Sequence, residues 1–223
     1  MKLLAVFLFL LMIPFLPVYS QEMKANKSLQ LDTVEVPFET FNVVSHDAKV
    51  TELKHEHITN WQLEIENKLV YANPNGNAVV RLYDGSNLEK FIEIGMGSPS
   101  DLKFWVAVQN EDAGYVVIHL SKNDGWKPGK IIIAQHSSNG GFSVNNGERI
   151  VVSNLDLAGF TIRDYSVYGL ESATDPPTAS AGNVVLNFLS GNPAENPLYY
   201  YPVVLLAAVG GIILILLKTK KRV

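Results

Sequence analysis

The feature that most constrains this chain is a rhythm. Short alternating apolar segments recur at roughly a dozen residues, each cut off by turn-forming residues. From Thr33 to Gly169 the sequence runs through "TVEVPFETFNVV", "WQLEIENKLVYA", "NAVVRLYDG", "KFIEIGMG", "LKFWVAVQN", "GYVVIHLS", "GKIIIAQHS", "ERIVVSN" and "FTIRDYSVYG". In the second of these, Leu63, Ile65, Leu69 and Tyr71 fall at period-two positions, with Gln62, Glu64, Glu66 and Lys68 opposite. That is the pattern of a strand with one wet face. The interruptions "NPNGN", "YDGSN", "GSPSD", "KNDGWKPGK" and "VNNGE" supply Gly, Asn, Asp and Pro where turns need them. No segment here sustains a 3.6-residue period. The expected fold is all-β: a jelly-roll-like β-sandwich of about ten strands, with no helix longer than two turns.

Two apolar runs flank this region. Residues 1–20 read as a signal peptide, with Lys2 as the basic start, an apolar stretch, Pro17 as a break, and Val18 and Ser20 small enough for a cleavage site. Residues 198–217 carry no charge and match the roughly 20 residues needed to cross a bilayer core. Tyr199, Tyr200 and Tyr201 stand at one end of that run. Lys218, Lys220, Lys221 and Arg222 stand at the other, which places the basic end inside. The expectation is a single-pass type I protein at the cell membrane, with residues 218–223 as a cytoplasmic tail and no signalling domain. Ala207 and Gly211 have the small-xxx-small spacing that pairs membrane helices, so a homo-oligomer through the span is an option.

The region between the runs is expected to hold one ectodomain, 21–171, and a linker, 172–197, with one possible strand. Pro176 and Pro177 sit in "ESATDPPTASAGN", which is rich in small and turn-forming residues. Five of the 18 basic residues are Lys2 and the tail, whereas all 22 acidic residues lie between, so this region carries about nine net negative charges. An acidic surface argues against nucleic acid as a partner. The chain has no cysteine, which removes thiol nucleophiles and cysteine metal sites and points to a prokaryotic surface. It holds one glycosylation sequon, Asn26-Lys27-Ser28.

The segment "GKIIIAQHSSNGGFSVNNGERIVVSNLDLAGFTIRDYSVYG", residues 129–169, resembles the last third of concanavalin-like, laminin-G-type jelly rolls. Those modules close on an F-x-G-x-I-x-D-V-x-V-Y type of strand. Phe160, Ile162, Asp164, Val167 and Tyr168 stand near those places. The tryptophan–histidine pair common in them is absent, and Trp126 is a partial echo. The resemblance implies recognition of a glycan or a surface protein, often with calcium near the sheet rim.

Candidate chemistry is sparse. His55 and His57 are two apart and share a face if they lie on a strand, about 6 to 7 Å apart. With His46, His119 or His136 as a third donor they could ligate a metal, or they are simply solvated. Glu64 and Glu66 share a strand face, the arrangement by which some glycosidases place acid and nucleophile about 5 to 5.5 Å apart, and also the look of a solvated sheet. Asn75, Asp84 and Asp124 lie in turns whose oxygens suit a ligand or calcium. Trp105 reads as core, and Trp126, in a turn, as the exposed ring on which a sugar could stack. No phosphate-binding, zinc-protease or serine-hydrolase motif occurs. The favoured reading is a membrane-tethered, non-catalytic surface module for recognition, adhesion or envelope structure, anchored in the lipid bilayer by 198–217. The alternatives are an accessory subunit of an envelope complex, or a membrane-anchored glycoside hydrolase using Glu64 and Glu66. In a eukaryote, Lys220 and Lys221 would also match a di-lysine retrieval signal.

Overall fold

The computed structural model describes residues 29–190, apart from 55–58, 138, 139 and 158. The expected signal peptide, membrane span and basic tail, and the pair His55 and His57, lie outside the described residues. Among the described residues no helix is long and apolar enough to cross a membrane. The helices described are two single turns of 3-10 type, Phe38–Phe41 and Ser45–Asp47.

Everything else that is regular is β-structure, in two six-stranded antiparallel sheets. The first runs, in spatial order, β1 (Leu29–Pro37), β14 (Asn183–Ser190), β3 (Trp61–Asn67), β9 (Ile132–Ser137), β10 (Gly141–Asn145) and β11 (Ile150–Leu155). The second runs β2 (Thr51–Glu52), β12 (Ile162–Tyr168), β5 (Asn77–Asp84), β6 (Phe91–Gly97), β7 (Phe104–Asn110) and β8 (Gly114–Ser121). A small ribbon joins β4 (Val70–Tyr71) to β13 (Ala179–Ala181). One continuous core fills the space between the sheets. The first sheet contributes Leu63, Ile65, Ala134, Val144 and Leu186, and the second contributes Val80, Leu82, Ile94, Phe104 and Val167. The β-sandwich expected from the alternation is therefore present.

Three local expectations change. The run "WQLEIENKLVYA" is not one strand. Asn67 Oδ1 accepts the Leu69 N–H at 3.0 Å and turns the chain, so Val70 and Tyr71 join β13 instead. Likewise β1 stops at Pro37, which lacks the N–H needed to continue a ladder.

The largest difference concerns residues 172–190, part of the expected linker 172–197 with one possible strand: the strand is present and belongs to the first sheet. β14 lies between β1 and β3, paired along its whole length with both. Val184, Leu186 and Phe188 point into the core, while Val185, Asn187 and Leu189 are half-exposed. Alternation is the local reason, and it is what offers a possible strand there. The Pro-rich stretch before it is a loop tied to the domain. Thr178 is fully buried, and its carbonyl accepts the Ala72 N–H at 2.9 Å.

The position of β14 makes a stability prediction. Leu186→Ala should cost about 2–5 kcal/mol, the range for truncating a buried leucine, and Val185→Ala distinctly less. Urea unfolding of the two variants checks this. Equal, negligible losses would return 172–190 to the role of a tether.

A candidate binding cleft on the second sheet

The outer face of the second sheet should be wet by simple alternation, yet β5 and β6 are buried on both faces. Cross-strand register explains why. Three rows of outward side chains cross the sheet: Tyr168, Val79, Gly95, Trp105 and Leu120; Ser166, Arg81, Glu93, Ala107 and Val117; and Asp164, Tyr83, Phe91, Gln109 and Tyr115. Glu93 is at the centre of this array. Its small neighbours Gly95 and Ala107 leave room into which the large aromatic residues lean. A Cβ at Gly95 would fall inside the Trp105 indole, so the ring packs flat against that strand.

All of these groups converge on one carboxylate. Glu93 Oε1 accepts the Tyr115 hydroxyl at 2.6 Å and the Trp105 indole N–H at 3.0 Å. Its Oε2 accepts the Tyr168 hydroxyl at 2.6 Å and Arg81 Nη2 at 2.7 Å, with Arg81 Nε at 3.3 Å. Glu93 is only 3% exposed. A buried charge is tolerated only when paired and hydrogen-bonded, and this one is both. Burial alone would raise its pKa. The donations from Tyr115, Tyr168, Trp105 and Arg81 outweigh that and hold the carboxyl below its ordinary range. Burial and the adjacent carboxylate push both Tyr115 and Tyr168 well up, so each phenol stays protonated and donating. Arg81 is further held by ring contacts, 4.2 Å from the Phe91 centroid and 5.0 Å from that of Tyr168.

Above this hub opens a cleft of about 310 Å³ lined by Glu93, Trp105, Tyr115, Tyr168, Asn77 and Glu171, with Ser45 at its edge. The end of the cleft is fixed by backbone. Gly169 N and Leu170 N both donate to Val43 O, which ties segment 43–45 to the end of β12. The donors of the hub are already committed. The Tyr115, Tyr168 and Trp105 protons go to Glu93, and Asn77 Nδ2 donates to Glu171 Oε1 at 3.2 Å. The Tyr168 oxygen in turn accepts Arg81 Nη2 at 2.9 Å, so what faces an incoming molecule is chiefly a set of acceptors, the Tyr115 oxygen, the Asn77 side-chain oxygen and Glu171, beside a flat indole. The Ser45 hydroxyl can still donate.

The residues singled out in the sequence are not brought together. Trp126 is 2% exposed and donates its indole N–H to Gly97 O at 3.0 Å, so the expectation of an exposed stacking ring is corrected. Its turn folds inward because Gly125 packs on Phe104, leaving the indole no path outward. Asp84 is buried. It staples a loop by accepting Thr161 N at 2.9 Å and Ser86 Oγ at 2.7 Å, and lies 3.6 Å from Lys90 Nζ. Asn75 and Asp124 are exposed at separate turns. Glu64 and Glu66 share a half-exposed face of the first sheet, where Gln62 Nε2 donates to Glu64 at 3.0 Å and Lys68 pairs with Glu66 at 2.8 Å. His136 is buried against Trp61, their rings stacked at 6.1 Å. Among the described residues no group of three or more histidine or acidic side chains is placed to hold a metal ion.

Trp105, expected in the core, is instead the half-exposed wall of the cleft. The signal that could have found the hub is one Glu in "FIEIGMG" and one Arg in "VVRLYD". Charges isolated in otherwise apolar strands are rarely buried unless paired.

No protein-family model and no curated protein matches this sequence. Solved structures similar in shape include the GH43 protein BlXynB from Bacillus licheniformis, at 11% identity and TM-score 0.44, covering 71% of this chain and 32% of that one. The carbohydrate binding module CBM66 from Bacillus subtilis is similar at 10% identity and TM-score 0.40, covering 64% of this chain and 82% of that one. Sheep galectin-11 is similar at 10% identity and TM-score 0.37, covering 64% and 97%. This chain thus spans about a third of the length of the GH43 protein.

The hub predicts a pH profile. Glu93 lies below its unfolded pKa of about 4.5, so its contribution is complete above that pH and is lost as pH falls through the folded value. Tyr115 and Tyr168 lie above their unfolded value of about 10, so their contribution is complete below pH 10 and declines as pH rises beyond it. Glu93→Gln strands the Arg81 charge and should cost about 3–5 kcal/mol at neutral pH. The gap between wild type and variant should shrink below about pH 4.5. Chemical unfolding at stepped pH measures this, and a gap that stays constant into acid would contradict it.

Proposed function

We propose that this protein is a glycan-recognition β-sandwich that binds neutral, hydroxyl-rich ligands in the Glu93 cleft without turning them over. The observation that carries the reading is the donor accounting. A flat indole lies beside a floor of acceptors whose protons are already committed to one buried carboxylate. Sugar rings offer what such a surface lacks, an apolar face for stacking and a fringe of O–H donors. An anionic ligand would meet Glu171 and the Tyr115 oxygen, with the Lys103 ammonium over Trp105 as the one nearby cation not already paired with Glu93 among the described residues. The Lys103 ammonium stands 4.7 Å from the Trp105 centroid, and a stacking sugar displaces it at a cost of about 0.5–1 kcal/mol.

Binding rather than catalysis follows from the state of the carboxylate. Glu93 is held ionised by four residues, so it has neither a proton to give nor a free lone pair aimed at a substrate. The same proposal includes a tether, motivated by the sequence alone: the uncharged run 198–217 ahead of four basic residues would hold the module at a membrane with the sandwich facing out.

The test uses the full chain in mild detergent against neutral and acidic oligosaccharides. Neutral glycans should bind, and Trp105→Ala should weaken binding at least tenfold while the domain, less stable for the donor lost to Glu93, stays folded by circular dichroism. That fold-change is the order expected for one stacking ring. Selective binding of acidic glycans, or full binding by Trp105→Ala, would defeat the reading. Release of reducing ends over time would defeat its non-catalytic half.

A further inference from the structure

Among the described residues, the β8 edge of the second sheet is left open. β8 reads GYVVIHLS, without charge or proline. Tyr115, Val116, Val117, Ile118 and Leu120 are all between 39% and 51% exposed. β11, the neighbouring edge of the first sheet, adds Ile150 at 63%. Natural proteins blunt sheet edges with charge, proline, brevity or irregularity, because an open apolar edge pairs with other strands. The other edges here are blunted in those ways. β1 carries Asp32 and Glu35 and stops at Pro37, β2 is two residues long, and the β10–β11 register shifts twice. β8 has one bulge, at Ile118, and nothing else.

Its flanks indicate what covers it. Glu111 and Asp112 precede the strand and Lys122 follows it. The described domain is acidic, so most of its surface repels a second copy, but β8 does not. Paired antiparallel with itself about an axis near Val117, the strand sets the acidic end of one copy beside the basic end of the other, twice by symmetry. Parallel pairing would set like against like. Among the described residues Asp112 and Lys122 make no ion pair within the chain. We infer that β8 is a homodimer interface, joining two second sheets into one continuous antiparallel sheet. Directly opposed residues of an antiparallel pair point to the same side, so the two Glu93 clefts face the same way. Such a pair presents two sites to one surface and gains affinity through avidity.

The test uses the full chain in mild detergent. Sedimentation should show a dimer at micromolar concentration. Lys122→Glu alone and Asp112→Lys alone should each weaken it about tenfold by turning two attractions into repulsions, and the double variant should restore it. The chain has no cysteine, so Val117→Cys introduces the sole thiol. It should form a reducible covalent dimer, because opposed strand positions lie within disulfide reach, whereas Glu35→Cys on β1 should not. A monomer would overturn the inference. So would a dimer indifferent to the charge swaps, which would place the contact elsewhere, for instance in the 198–217 run. Circular dichroism and the unfolding midpoint confirm that each variant is folded, so a lost dimer reads as a lost interface.

Discussion

The buried carboxylate of Glu93 is the interaction on which the second sheet depends. It takes hydrogen bonds from side chains on β5, β7, β8 and β12 while sitting on β6 itself. Five of the six strands of that sheet are tied through one group. Backbone ladders fix strands only to their immediate neighbours, whereas this hub spans the sheet. It also keeps the two phenols of the cleft, Tyr115 and Tyr168, protonated. Stability and recognition are thus two outcomes of the same bonds, and a change that frees one partner leaves a charge stranded among aromatic rings.

The rings themselves depend on what is missing beside them. Gly95 has no Cβ, so the Trp105 indole can lie flat against the neighbouring strand instead of standing into solvent. Ala107, opposite Glu93, keeps the path to Tyr115 short. A strand glycine normally weakens a sheet, and here it makes a close approach possible. The residue that builds the binding surface is thus partly one with no side chain.

The fold was largely legible because alternation is a local property. Leu63 and Ile65 announce their faces in the sequence, and they point inward as read. Legibility failed where burial came from tertiary neighbours. β14 alternates as cleanly as β3 and was readable as a possible strand, but the Pro176-Pro177 stretch before it suggested a linker, and only pairing with β1 and β3 shows it inside the first sheet. The cleft was illegible for a related reason. Trp105 sits in "FWVAVQN" and Trp126 in a turn, so sequence position suggested that the first was buried and the second exposed. The structure reverses both, because strand position says which face a ring leaves from, not whether that face is wet. Glu93 and Arg81 did leave a trace as lone charges in apolar strands.

The chain has three tryptophans, which allows a direct reading of the account's central claim. Their indole N–H signals can be followed by nuclear magnetic resonance while a neutral oligosaccharide is titrated into the full chain. Trp105 should shift and saturate with binding, while Trp61 and Trp126, both in the core, stay still. A titration in which Trp126 moves and Trp105 does not would place the ligand elsewhere and contradict the Glu93 cleft as the site.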